Sequence, residues 1–251
     1  MDAKLAFEVC ANSVESALAA QRGGAQRVEL CAGMPEGGTT PSHGEIATAR
    51  RLLTEGTRLH VIIRPRGGDF TYSPLELERM ATDIDVCHQL GADGVVIGCL
   101  TAQGDVDVDA CHMLLEHAQG MSVTFHRAFD RCRHPEQALE QIIGLGFDRL
   151  LTSGQQPTAE QGIGELRQLH NQAAGRIAIM AGCGVTEANI AHIRQATGIS
   201  EFHFSGREAV QSPCGYMRTG NVYMGSKDAH EDVLMLTTEA RVRATIAAAQ
   251  S

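Results

Sequence analysis

The feature that most constrains this chain is a short apolar, strand-like run that recurs eight times in 251 residues. Segments with helical periodicity lie between the runs, and several end at a glycine that leads into the next strand, as in short αβ loops. The predicted strands are Leu5–Val9, Arg27–Leu30, Leu59–Ile63, Gly94–Ile97, Val123–Phe125, Arg149–Leu151, Ile177–Met180 and Glu201–Phe204. Eight βα units in a chain of this length predict an α/β fold, the single-domain (β/α)8 TIM barrel.

The alternative architecture is an open, doubly wound sheet. Such a sheet seldom has eight central strands, and its dinucleotide-binding form carries a GxGxxG motif after the first strand, which this chain lacks. No linker or shift in composition divides residues 1–251, so we expect one domain. The polar, glycine-bearing residues 208–232 predict a long loop over the barrel mouth, followed by a final helix over residues 233–248.

Charge and hydropathy exclude several classes of function. The formal charge is -9, whereas nucleic-acid binding needs clustered lysine and arginine. No apolar run approaches the roughly 20 residues of a membrane span, and the N-terminus has no region typical of a signal peptide. We therefore expect a cytoplasmic protein without nucleic-acid or membrane partners, in which the eight irregularly spaced cysteines are reduced thiols.

Charged and nucleophilic side chains collect where the predicted strands end. In a TIM barrel these C-terminal strand ends carry the functional residues. The candidates at the strand ends are Glu8, Cys10, Glu29, Cys31, Arg64, Arg66, His126, Arg127, Asp130, His203 and Arg207. A purely structural barrel does not need such a rim, so we expect a functional pocket there.

The first two strands end in the same Glu-x-Cys pattern, which places each glutamate and cysteine on one strand face. Neighbouring strands lie about 4.8 Å apart, so Cys10 and Cys31 are expected to face each other across one rung. Two thiolates form a soft site suited to Cu(I). The competing interpretation is that both cysteines are small buried hydrophobic residues that fill the barrel.

Glu8 and Glu29 also have two interpretations. They are either buried ions paired with Arg64 and Arg66, or an acid/base pair whose pKa values are driven apart. The two arginines, on one face, are predicted to make a fork for a carboxylate or phosphate.

The histidines at the strand ends leave similar alternatives open. His126 is either a general base or metal ligand, or a structural residue held by Arg127 and Asp130. The same choice applies to His203.

Glycines after the seventh and eighth strands predict an anion site. Backbone amides at these two places form the phosphate cradle of many TIM barrels. The candidate residues are Gly182, Gly184, Ser205, Gly206 and Arg207.

Several long motifs are similar to those of the CutC family. They are Phe7-Glu8-Val9-Cys10, Arg27-Val28-Glu29-Leu30-Cys31, residues 36–42, 63–70, 123–130 and 151–154, and Glu201-Phe202-His203. The resemblance implies a TIM barrel, a cytoplasmic location, a role in copper homeostasis, homo-oligomers, and Cu(I) bound by Cys10 and Cys31. Cys183 departs from the family pattern, because glycine is expected there, and adds a thiol at the mouth.

Two functions are therefore predicted. The first is a cytoplasmic copper-handling protein whose partner is a copper ion held by Cys10 and Cys31. The second is an enzyme that performs acid/base chemistry on a small anionic or phosphorylated metabolite. In the second, Glu29 or His126 is the base, the arginines hold the anion and the amides of Gly184 and Gly206 bind phosphate.

Overall fold

In the computed structural model, eight parallel strands close into a barrel in chain order, which confirms the predicted TIM barrel. The structure describes residues 4–54, 56–214, 216 and 232–250. The strands are β1 (Ala6–Ala11), β2 (Arg27–Leu30), β3 (Arg58–Ile62), β4 (Gly94–Ile97), β5 (Ser122–Phe125), β6 (Arg149–Thr152), β7 (Ala178–Gly182) and β8 (Glu201–Phe204). Each strand coincides with one predicted run, with ends that differ by at most two residues.

Helices follow the strands around the barrel. They are α1 (Val14–Gly23), α2 (His43–Leu52), α3 (Pro74–Gln89), α4 (Val108–His117), α5 (Pro135–Leu145), α6 (Ile163–Ala173), α7 (Ile190–Thr197) and α8 (Glu239–Gln250). Local sequence sets many of their ends: Ser73 caps α3 in a capping box with Glu76, and α1 ends at the left-handed Gly24. None of the helices within the described ranges is long and apolar enough to cross a membrane.

Successive side chains of each strand point alternately outward, into an apolar layer, and inward, into a polar barrel interior. On β1, Phe7 and Val9 belong to the main apolar core, together with Ala17 and Ala20 of α1. The intervening Glu8 is fully buried among charged groups instead. Interior positions of a barrel recur with this period of two.

Five charged side chains from four strands form a buried ion chain inside the barrel. Arg27, at the start of β2, pairs with Glu8 and, at 2.8 Å, with Glu201. Glu201 also accepts a hydrogen bond from Arg149 at 3.0 Å, and Glu8 accepts one from His203 Nδ1 at 2.8 Å. Each charge therefore has an opposite charge beside it, as buried ions require.

The predicted ion-pair partners of Glu8, Arg64 and Arg66, are wrong. The observed partner is Arg27. β1 continues to Ala11, so Glu8 lies within the barrel and not at its mouth. The parallel register then places Glu8 directly opposite Arg27.

The predicted final helix over residues 233–248 is wrong in its first part. Val233–Thr237 forms β10, which pairs antiparallel with β9 (Arg207–Gln211), and α8 begins only at Glu239. The backbone N–H and C=O groups of such an apolar run can be hydrogen-bonded either in a helix or between antiparallel strands. Here β9 supplies the partner strand.

The predicted loop over residues 208–232 is described only in part. Residues 208–211 belong to β9, which starts directly beyond β8 at the barrel mouth. Residues 215 and 217–231 lie outside the described residues, so their predicted position over the mouth stays a prediction.

We predict that Arg27→Met lowers the free energy of unfolding by about 3–5 kcal/mol, because two buried carboxylates lose their shared cation. Urea denaturation followed by circular dichroism measures the loss. The matched control Arg176→Met removes a surface pair with Glu140, whose side chains are 46% and 48% exposed. It should cost less than about 1 kcal/mol. Equal losses in the two variants would contradict a structural role for the ion chain.

Candidate functional site

A pocket of about 420 Å³ opens at the C-terminal ends of the barrel strands. The structure brings ten of the predicted site residues into its lining. They are Cys10, Glu29, Cys31, Arg64, His126, Arg127, Gly184, His203, Ser205 and Arg207. The other predicted residues (Glu8, Arg66, Asp130, Gly182 and Gly206) lie beside or below the pocket and have other contacts.

The Sγ atoms of Cys10 and Cys31 lie 3.7 Å apart in this pocket. The strand register places Cys10 opposite Glu29 rather than opposite Cys31, so the two thiols meet diagonally and not across one rung. A carboxylate oxygen of Glu29 is 3.3 Å from Cys31 Sγ, and the ligand atoms of all three residues lie within 4.8 Å of one another. Since a zinc–sulfur bond is about 2.3 Å long, two sulfurs at this separation can share one metal ion.

The two thiols have different proton affinities. The hydrogen bond from Cys31 lowers the pKa of Cys10 well below its usual value, against burial and with help from His203. The same contact with Cys10, together with burial, raises the pKa of Cys31. The pair therefore favours a Cys10 thiolate that accepts a hydrogen bond from a Cys31 thiol.

His203 and Glu29 set the charge next to the thiols. Burial lowers the pKa of His203, but contacts with Cys10, Glu8 and Glu29 outweigh burial and raise that pKa well above its usual value. Burial raises the pKa of Glu29 to about 8, and the nearby negative charges of Cys10 and Glu8 act in the same direction. The Cys10 thiolate therefore has an imidazolium beside it, and the nearby Glu29 carboxyl holds its proton more tightly than an exposed glutamate does.

His126 follows β5 and is buried, with an exposed fraction of 4%. Its Nδ1 accepts a hydrogen bond from the Ala128 N–H at 3.2 Å, so the proton of the neutral ring lies on Nε2. Burial and the nearby Arg64 lower the pKa of His126 to about 3. Within the described part of the chain, Nε2 has no hydrogen-bond partner.

Gly98 makes room for this histidine. A Cβ atom at position 98 would lie 2.5 Å from His126 Nδ1, closer than any real side chain can approach. The glycine after β4 therefore allows the His126 ring to pack closely against the neighbouring strand end.

Arg64 organises the loops around the pocket. Its guanidinium donates to three loop carbonyl oxygens, those of Glu36, Gly38 and Gly68. Arg64 Cζ lies 4.9 Å from the centre of the Phe70 ring, which is in turn 5.1 Å from the His126 ring. Arg64 thus packs Phe70 against His126.

Arg66 lies outside the pocket, and the predicted arginine fork is not formed. Its Nε donates to Glu76 at 2.6 Å, and its Nη2 donates to Asp69 at 3.2 Å. The prediction applied strand periodicity to Arg64 and Arg66, whereas β3 ends at Ile62.

Asp130 belongs to a structural network. Its carboxylate pairs with Arg127 Nε at 2.6 Å and accepts hydrogen bonds from the hydroxyl of Thr152 and from the backbone N–H groups of Ser153 and Gln155. These contacts tie the loop after β5 to the end of β6. Among the described residues, His126 takes no part in this network.

The predicted anion residues divide into two groups. Gly184, Ser205 and Arg207 line the pocket. Gly182 lies within β7, where a Cβ atom would be 2.5 Å from a methyl group of Leu151. Gly206 packs instead against α8, and its carbonyl accepts the Thr238 N–H. Gly182 and Gly206 therefore have structural roles. Gly182 leaves room for the Leu151 side chain, and Gly206 allows the chain to pass close to α8.

Cys183 occupies a position where glycine is the favoured residue. Its φ of 75° is in the left-handed region, which L side chains rarely adopt. The Cys183 thiol donates to the Pro157 carbonyl at 3.1 Å and lies at the pocket edge. Beyond Cys183, Thr186 begins a hydrogen-bonded turn, and α7 begins at Ile190.

Sequence reasoning missed three residues that shape the site: Arg27, His60 and Phe70. The signal for Arg27 was its spacing of two from Glu29, which places both side chains inside the barrel. His60 had the same signal, because the alternation of side chains along β3 also places it inside the barrel. Phe70 gave no separate signal, because loop geometry alone brings it over His126.

The matched family model is described as the CutC family and covers residues 5–208. A CutC family protein of Bacteroides thetaiotaomicron is 61% identical over 248 residues, which cover 99% of each chain. This chain belongs to the CutC family. The resemblance seen in the sequence motifs is therefore confirmed.

Two further comparisons agree with this family. A mouse protein named copper homeostasis protein cutC homolog is 44% identical over 233 residues, which cover 93% of this chain and 85% of the mouse chain. A solved CutC structure from Streptococcus agalactiae is 37% identical, with a TM-score of 0.77 over 80% of this chain and 98% of that chain.

We predict that the protein loses stability as the pH falls from about 6.5 to about 4, partly because of His60. Neither ring nitrogen of His60 has a hydrogen-bond partner among the described residues. Burial lowers its pKa to about 4, whereas an unfolded histidine titrates near about 6.5. The unfolded chain therefore binds this proton first, so the contribution of neutral His60 is complete above pH 6.5 and decreases as the pH falls.

Urea denaturation at several pH values measures this dependence. His60→Leu should remove roughly 3 kcal/mol of the loss between these pH values, at about 1.4 kcal/mol per unit of pKa shift. The control His112→Leu changes a histidine on the exposed face of α4 and should keep the wild-type pH profile. An unchanged profile in His60→Leu would contradict a buried neutral histidine.

Proposed function

We propose that this protein binds Cu(I) through Cys10 and Cys31 and handles copper in the cytoplasm. The observation that carries the proposal is the pair of buried thiols 3.7 Å apart in the barrel mouth. Thiolates are the ligands that Cu(I) prefers. Membership of a family in which the mouse relative is named a copper homeostasis protein supports the same assignment.

The surroundings of the thiols favour Cu(I) over a divalent ion. Structural zinc sites usually take four nitrogen or sulfur ligands. Here the described residues beside the thiol pair offer two sulfurs and the Glu29 carboxyl, one ligand fewer than such a zinc site takes. His203 is held by Glu8, and its positive charge offsets the negative charge of a copper–dithiolate unit.

The state of the cysteines supports a reducing compartment. All eight cysteines lie within the described residues, and each is a free thiol there. Free thiols persist in the cytosol, where glutathione keeps cysteines reduced. The same conditions keep copper as Cu(I).

We predict that the reduced protein binds about one Cu(I) per chain under anaerobic conditions, because the two thiols form one soft site. Titration against a competing chromophoric Cu(I) chelator measures stoichiometry and affinity. The variant Cys10→Ser/Cys31→Ser should lose this binding, because hydroxyl groups are poor ligands for a soft ion.

Cys183→Ser is the matched control, since it removes a thiol at the edge of the same pocket that donates to Pro157 instead. Its Cu(I) affinity should equal that of the wild type. Copper binding that survives the double substitution, or that disappears in Cys183→Ser, would refute Cys10 and Cys31 as the ligands.

A further inference from the structure

The pocket has far more room than a copper ion needs. Its volume of about 420 Å³ lies in the range of about 300–1,000 Å³ that is typical of small-molecule sites. Phe70 and Leu151 give it apolar walls, and polar groups converge on the same space. A small organic molecule therefore fits beside the thiols.

One buried donor in the wall has no partner among the described residues. His126 is 4% exposed, and its Nε2 carries the proton because Nδ1 accepts from Ala128. No described residue accepts from this Nε2–H. A buried polar group without a hydrogen bond is unfavourable, so an acceptor oxygen of a bound molecule would be stabilised at this position.

Positive charge and free backbone donors lie on another part of the wall. The Arg207 side chain lines the pocket and makes no hydrogen bond or ion pair with a described residue, although its charge reaches the Cys10 thiolate through space. The loop after β7 adds the N–H groups of Gly184 and Val185, which likewise donate to no described acceptor. A guanidinium and free amides that line one pocket are a typical anion-binding combination.

We propose that the barrel mouth binds a small organic anion next to the thiol pair. Its phosphate or carboxylate group lies against Arg207 and the amides of Gly184 and Val185, and a second oxygen accepts the Nε2–H of His126. This ligand class is the one expected for a barrel enzyme that acts on a small anionic metabolite. The anion site uses neither cysteine, so it stands independently of copper binding.

Isothermal titration of the reduced, metal-free protein with 2-phosphoglycolate and with inorganic phosphate tests this site. 2-Phosphoglycolate carries a phosphate and a carboxylate, so it can reach both parts of the wall, whereas phosphate reaches only the Arg207 part. We expect saturable binding of both probes, and tighter binding of 2-phosphoglycolate. Arg207→Gln should weaken both at least about tenfold, because the charge-assisted hydrogen bonds are lost.

Two variants sharpen the test. Arg58→Gln makes the same charge change at an exposed residue at the opposite end of the barrel and should bind both probes as the wild type does. His126→Asn keeps an acceptor for the Ala128 N–H but removes the Nε2–H. It should weaken 2-phosphoglycolate binding about tenfold and leave phosphate binding within about twofold.

The Cys10→Ser/Cys31→Ser variant separates the two sites, because it should keep 2-phosphoglycolate binding while copper binding is lost. Circular dichroism and thermal unfolding establish that each variant is folded. The anion site is refuted if the wild type shows no saturable binding up to about 10 mM, or if Arg207→Gln binds as tightly as the wild type. Equal 2-phosphoglycolate binding by His126→Asn and the wild type would refute the role of His126.

Discussion

The buried pair of Arg27 and Glu8 is the interaction on which the positive charge beside the thiol pair depends. Arg27 keeps Glu8 ionised, although burial alone would protonate it, and Glu8 in turn holds His203 as a cation. The imidazolium favours the thiolate form of Cys10. The hydrogen bond from Cys31 is the largest cause of the low pKa of Cys10, and the charges that the strand register places deep in the barrel add to it through His203.

The mouth has two chemically different parts. Cys10 and Cys31, at the ends of adjacent strands, form a buried pair of soft metal ligands in contact with each other. On other parts of the wall, His126 and Arg207 present donors that have no acceptor among the described residues. Arg64 has a structural role between them, because its two Nη atoms donate to loop carbonyl oxygens and its guanidinium packs on the Phe70 ring. A protein with this arrangement has room for a metal ion and an organic anion side by side.

Much of this arrangement is readable from sequence, because a strand period of two fixes which residues share a face. The recurring apolar runs identified every barrel strand, and the period of two then placed Cys10 and Cys31 on the interior face of the barrel. It failed for Arg66, which lies beyond the end of β3, and for Val233–Thr237, where a distant partner strand decided between helix and hairpin. It did not reveal that Arg27 pairs with Glu8, because the stagger between neighbouring strands cannot be read from either strand alone.

X-ray absorption at the copper edge of the Cu(I)-loaded, reduced protein tests the central claim most directly, because it identifies the atoms bound to the metal. The account predicts Cu(I) coordinated by two sulfur atoms, with both sulfur ligands lost in Cys10→Ser/Cys31→Ser and retained in Cys183→Ser. Coordination by nitrogen and oxygen alone would contradict it, because the metal would then lie away from the thiol pair.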